Sequence, residues 1–268
     1  MKHTINTRYV MLAGVIFAAS FQCSASAASK SWSKSGGTSS KAAYTLDANA
    51  SASASASSAY ARGSASARVA FLGSSYMTIA SASAQATGTK TSLSADSSVK
   101  FLGGTIWATS KSGSLTSFSA SLPYLSKTWK PPVSPTYMVG PVPVKLTPSV
   151  SVGMSGSISA NVNPYSLTFS GSLYPISIDC GAGVSASVAN DWVRVNGSVT
   201  MCKLAPNITS SCSWKYRTAR YDAGLSYGTL GGSINLVAGK GWLQYSLKLM
   251  ELPGFSGRES FFAQSASF

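Results

Sequence analysis

The sequence predicts an all-β protein, with an antiparallel β-sandwich or barrel-like C-terminal region preceded by a Ser/Ala-rich β-hairpin N-terminal region. Three observations carry this. Small residues alternate with period two: Ala50, Ala52, Ala54 and Ala56 against Ser51, Ser53, Ser55 and Ser57, then Ala80, Ala82, Ala84 and Ala86 against Ser81, Ser83 and Gln85. Two is the strand period, and a helix of this composition would carry serine on every side and no apolar stripe. Glycine-rich turn signals also recur between short alternating runs in the second half, as in sandwiches and barrels. Finally, no stretch sustains a 3.6-residue apolar period.

Residues 1–27 have the three parts of a secretory signal peptide. Lys2 and Arg8 are basic, Tyr9 to Phe21 is apolar, and Ala25-Ser26-Ala27 supplies small residues for cleavage after Ala27. The apolar part is too short to span a bilayer as a helix, and no later segment approaches that length, so no transmembrane helix is expected. The expected location is secreted, extracellular. Residues 28–42 are Ser, Gly and Lys with little to bury and read as a disordered tail. The Ser/Ala-rich alternating β region follows at 43–130.

Within it, Val69-Ala70-Phe71-Leu72-Gly73 recurs thirty residues on as Val99-Lys100-Phe101-Leu102-Gly103, suggesting two stacked hairpins. Residues 131–148 form a Pro-rich linker or edge segment. Lys130 to Pro148 contains six of the eleven prolines, which remove backbone donors. The sandwich-like domain occupies 149–268. Its strongest turn signal is Asn196-Gly197, between Trp192–Val195 and Ser198–Met201. Gly231-Gly232 suggests a second hairpin joining Leu225–Leu230 to Ser233–Val237, and Ala238–Gly241 turns into a strand with Leu243, Tyr245, Leu247 and Leu249 on one face.

Charge and cysteine usage narrow the function. The chain has 21 Lys and Arg against 7 Asp and Glu, a net charge of +14; a leader would remove only Lys2 and Arg8 from that excess. Such a balance attracts polyanions. The bases are scattered, so no specific nucleic acid is expected, and an anionic polymer (acidic polysaccharide or acidic matrix protein) or a mineral surface is the expected partner, with self-association a further possibility. Besides Cys23 in the leader, the cysteines are Cys180, Cys202 and Cys212. Cys202 with Cys212 is the preferred disulfide, closing the polar segment between them; Cys180 with Cys202 across neighbouring strands is the alternative.

Catalysis is disfavoured by composition. His3, in the leader, is the only histidine, which removes Ser-His-Asp and Cys-His mechanisms and histidine metal sites from the exported chain. Seven carboxylates in a basic chain read as ion-pair partners; Asp179 with Asp191 is the one pair considered for a glycosidase arrangement. Ser31-Trp32-Ser33-Lys34 matches a Ser-x-x-Lys spacing that chance supplies in so serine-rich a chain. No phosphate-binding glycine pattern occurs, and no cofactor or metal is expected. If the host is eukaryotic, Asn196 and Asn207 are the best-placed glycosylation sequons.

The leading expectation is therefore a non-enzymatic structural or extracellular-matrix protein, whose flat Ala/Ser faces stack and add strands at their edges. Its N-terminal third is similar in composition to silk-like and biomineral-matrix proteins. The alternative is a β-sandwich binding module for anionic polysaccharide or a cell surface, with Trp214, Lys215, Tyr216 and Arg217 as the polyanion-binding segment. Trp107, Trp129, Trp192 and Trp242 are further aromatic candidates. A bacterial outer-membrane β-barrel is the third reading, prompted by the alternating C-terminal run ending at Phe268.

Overall fold

The computed structural model describes residues 25–187, 193–229, 231–239 and 242–268. The alternation becomes a sandwich of two antiparallel sheets. Strands β1 (Ser26–Thr38), β2 (Ala42–Ala54), β3 (Ser58–Phe71), β4 (Met77–Thr89), β5 (Leu93–Phe101) and β6 (Gly104–Gly113) form a six-stranded meander in sequence order. The second sheet contains β7 (Ser117–Trp129), β8 (Thr136–Val139), β9 (Val142–Asn163), β10 (Thr168–Ser187), β11 (Val193–Asn196) and β12 (Val199–Ser213). It also holds β13 (Thr218–Thr229), β14 (Gly231–Ala238), β15 (Tyr245–Leu252) and β16 (Phe255–Ser267). Its body runs β16-β13-β12-β10-β9-β7, and the shorter β8, β11, β14 and β15 extend one end.

The two sheets face each other with unlike side chains. Ala48, Ala50, Ala52, Ala61, Ala65, Ala82 and Ala84 of the meander are buried, opposite larger residues such as Leu173, Ile178 and Ile208. Glycine completes this fit at two places. A Cβ on Gly63 would overlap Ile208 Cδ1, and one on Gly88 would overlap the ring of the fully buried Phe169. The strict alanine pattern thus marks an inner face on which the opposite sheet supplies the volume.

Several expectations need correction. Residues 28–42 hold β1 and its turn into β2 rather than a disordered tail. Ala28 is buried, Trp32 packs 4.7 Å from Tyr227, and Lys30 and Lys34 lie over aromatic rings of the other sheet, so lysine stems and rings supply the apolar contact that composition concealed. Within the Pro-rich 131–148 segment, β8 is an edge strand that pairs only with β9, whereas residues 142–148 belong to β9 and pair with β8 and β10. The segment divides nothing: β9 continues from Val142 into the sheet, β7 from the preceding region pairs with β9, and one buried cluster draws on both sheets.

Asn196-Gly197 makes no hairpin. β11 and β12 both pair with β14 in a single register, Asn196 opposite Asn235 and Val199 opposite Gly232, so the pair interrupts an extended run. Nor do β13 and β14 pair with each other; β13 lies between β12 and β16. The turn between β14 and β15 does form, with Ala238 opposite Tyr245. The thirty-residue repeat is a real structural one. Leu72 and Leu102 both have φ 50°, followed by Gly73 at 84° and Gly103 at 81°, the positive angles of a type I′ turn; the second joins β5 to β6 directly, whereas the first opens the longer connection 72–76 between β3 and β4.

The preferred Cys202–Cys212 disulfide is incompatible with the fold. Both lie on β12, ten positions apart, which is about 33 Å along a strand, whereas a disulfide needs about 4.4–6.8 Å between Cα atoms. The segment between them is strand rather than loop. Residues 1–24 of the expected signal peptide lie outside the described residues, as do Asp191 and Trp192; Ser26 and Ala27, upstream of the expected cleavage point, begin β1.

Candidate functional site: a hydroxyl-lined groove and its turns

Proline shapes the outer face of the ten-stranded sheet. Pro123, Pro175 and Pro206 each lie where pairing lapses: between Leu122 and Leu125 against β9, and between Leu173 and Ile178 of β10 against Leu204 and Ile208 of β12. A further irregularity between Ala223 and Gly224 of β13 leaves Phe261 of β16 as the extra residue. Lacking an N–H, proline is tolerated where the ladder is already broken, and bulges bend the strands that carry them. The irregularities line up across neighbouring strands and crease the sheet.

On one side of this crease lies a hollow of about 550 Å³, continuous with a second of about 620 Å³ through their shared Ser170, Ser211 and Arg220. Cross-strand register builds the floor. Ser117 stands opposite Asn161, Asn161 opposite Ser170, Ser170 opposite Ser211, Ser211 opposite Arg220, and Arg220 opposite Ser265. Six strands at about 4.8 Å spacing make a row of about 24 Å that carries hydroxyls, one amide and one guanidinium. No carboxylate lines either hollow. Asp222, two residues beyond Arg220 and opposite Thr209, bounds the basic stretch.

Two neighbouring turns rise beyond the strand ends along one side of the groove, Pro164–Leu167 between β9 and β10 and Trp214–Arg217 between β12 and β13. They have the same shape. Leu167 has φ 52° and Arg217 φ 53°, and each turn is capped by the polar residue before it. Asn163 Oδ1 accepts from the Tyr165 and Ser166 amides at 2.9 and 3.0 Å, and Ser213 Oγ accepts from the Tyr216 amide at 3.4 Å. The Trp214 amide donates to Leu167 O at 2.9 Å and locks the turns together.

Tyr165 and Tyr216 project with 97% and 70% of their surface exposed. Lys215 lies 5.4 Å from the Tyr216 ring centroid, and Lys215 and Arg217 are exposed. Lys90, in the turn after β4, adds an exposed base at the same end.

The sequence-chosen segment is therefore split. Lys215, Tyr216 and Arg217 face solvent, whereas Trp214 is 7% exposed and its Nε1 donates to Ser55 O at 3.2 Å, tying the turn to the other sheet. Trp129 is buried, Trp107 is half-buried against the core, and Trp242, although exposed, lies at the opposite end in the β14–β15 turn. Asn196 is exposed at the end of β11. Asn207 lies inside β12, half-buried, and is not the loop site expected. Sequence reading missed Arg220 and the serine row because residues from six separate strands stand side by side there only through register.

No known protein-family model matches the sequence, and a search of curated proteins finds no similar one. The site's chemistry therefore rests on its geometry. Among the described residues no group of His, Cys, Asp and Glu could hold a metal ion. What the groove offers is hydrogen-bond donors and acceptors in a row, a positive charge in its floor, and two aromatic rings with bases at its mouth.

Proposed function

We propose that this chain is a secreted, non-enzymatic β-sandwich binding module that holds an anionic polysaccharide along the groove. The observation that carries the reading is the register row from Ser117 to Ser265 with Arg220 within it. Sugars present hydroxyls that exchange hydrogen bonds with Ser, Thr and Asn, a carboxylate or sulfate would meet the Arg220 guanidinium, and a ring could stack on Tyr165 or Tyr216. Lys215, Arg217 and Lys90 would draw the polyanion toward the mouth.

This reading is favoured over a silk-like matrix because the alanine faces are buried between the sheets and are not free to stack with other molecules. Lys30 and Lys34 on the edge strand β1 also oppose open-ended strand addition. A lipid-facing barrel would carry apolar residues outward, whereas the outer faces here carry residues such as Asp47, Asn49, Arg62 and Arg68.

The test is retention of purified protein on immobilised polygalacturonate and heparin, with neutral dextran as control. Binding to one or both anionic polymers and none to dextran is expected. Arg220→Ala and Tyr216→Ala should each weaken it about tenfold, roughly 1.4 kcal/mol. Equal retention of both variants and wild type would reject this site.

A further inference from the structure

We propose that Cys180 and Cys202 form a cross-strand disulfide in the exported protein while Cys212 stays a thiol. The register sets Cys180 of β10 directly opposite Cys202 of β12. Directly opposed residues of an antiparallel pair have Cα atoms about 4.5 or 5.5 Å apart, and both values lie within the span a disulfide bridges. Both side chains point into the core with no exposed surface. Cys212 is also buried but stands opposite Phe169 and Ala219, ten positions along β12 from Cys202.

The pair occupies a weak point of the sheet. Immediately after Cys180 the register slips, so that Gly181 faces Thr200 and Met201 is left as an extra residue. Just beyond, at Thr200 and Val199, β12 acquires β14 as a partner. A covalent link here would hold β10 to β12 where the ladder is interrupted.

The chemistry needs an external disulfide, either a thiol–disulfide oxidoreductase or oxidised glutathione. One cysteine thiolate attacks a sulfur of that reagent and gives a mixed disulfide with loss of one thiolate. The second cysteine thiolate then attacks the protein-side sulfur and expels the other. Two protons and two electrons leave the cysteine pair, and the reagent is reduced to two thiols. Burial, reinforced by the contact with Cys202 and the nearby Asp179, pushes the Cys180 thiol well above its usual range. Thiolate is therefore scarce once the sheets have closed, and the bond forms while they are still open.

The full chain is refolded from the reduced, denatured state in a glutathione redox buffer, alkylated with iodoacetamide in denaturant without reductant, and mapped by peptide mass spectrometry. This readout does not depend on export or on polysaccharide retention, so failure of either leaves it standing. The expected product is one linked peptide pair containing Cys180 and Cys202, with Cys23 and Cys212 alkylated. Alkylation of both Cys180 and Cys202, or linkage of either to Cys212, overturns the proposal. As a second readout, reductant should lower the melting temperature of wild type by about 5–10 °C and leave a Cys180→Ala/Cys202→Ala variant unaffected. Equal response of the two proteins would also reject the bond.

Discussion

The Lys34 ammonium stands 4.4 Å from the ring centroid of Phe255 and 4.9 Å from that of Tyr227, so a cation on the edge strand of one sheet closes the seam with the other. Lys30, on the same face of β1, lies 5.8 Å from the Phe261 centroid and donates to Ser260 O at 3.2 Å. Lys34→Met keeps the aliphatic stem and removes the charge. It should cost about 1 kcal/mol in urea denaturation. Combining it with Lys30→Met leaves β1 without its inward charges, and light scattering should then detect association that wild type lacks.

Gly88 tests how closely the sheets approach. Its missing Cβ makes room for Phe169, which is fully buried and has nowhere to move. Gly88→Ala should destabilise by about 1–3 kcal/mol. Gly104→Ala, where a Cβ would meet only Phe101 O at 3.5 Å, should change stability by less than about 0.5 kcal/mol. Similar losses in both variants would refute the close fit.

Trp214 and Tyr216 are two residues apart and should separate stability from binding. Trp214→Phe keeps a ring in the core and loses the Nε1 bond to Ser55 O, costing about 1 kcal/mol of stability with little change in polymer retention. Tyr216→Ala should do the reverse. Thermal melts and affinity measurements on the same preparations decide between them.

Ser210 faces the core with its Oγ unpartnered. Ser210→Ala removes a desolvated hydroxyl without opening a large cavity. The variant should be more stable than wild type by about 1 kcal/mol. A loss of stability would mean that the hydroxyl is satisfied in solution.

Alkaline pH should weaken the fold. Burial pushes the Cys212 thiol up to about 11 and raises the Tyr44 and Tyr221 phenols, the latter partly offset by the hydrogen bond to Ser26. In the unfolded chain these groups ionise first, a thiol near about 8.5 and a phenol near about 10. Their contribution is thus complete below about pH 8 and is lost as pH rises toward 11. Urea midpoints measured across that range should fall, and Cys212→Ala should flatten the early part of the decline. An unchanged profile would show that Cys212 ionises alike in both states.

Much of the fold was legible in the residues. Alternation from Ala50 to Ala54 and from Ala80 to Ala86 marked strands correctly, although Ala56 falls in the exposed turn after β2, and the Phe-Leu-Gly repeat marked two turns with the same positive φ angles. Local signals failed where pairing partners lay elsewhere. Asn196-Gly197 has the chemistry of a hairpin, but β14 runs along both flanks and holds them in one line. Cys202 and Cys212 are close in sequence yet far apart on an extended strand. Of the site, Lys215, Tyr216 and Arg217 could be found from their spacing alone. Arg220 and the serine row could not, since nothing in a single strand reveals which residues stand beside it.

The alanine face of the meander has one more consequence, for how its strands find their alignment. Sliding β3 by two residues along β2 or β4 would still set alanine and other apolar residues opposite one another on the inner face, so hydrophobicity there only weakly distinguishes the shifted arrangements. Gly63 and Gly88 break that degeneracy. They are notches that accept Ile208 and Phe169 only when the strands are in step, like the cuts of a key against its pins.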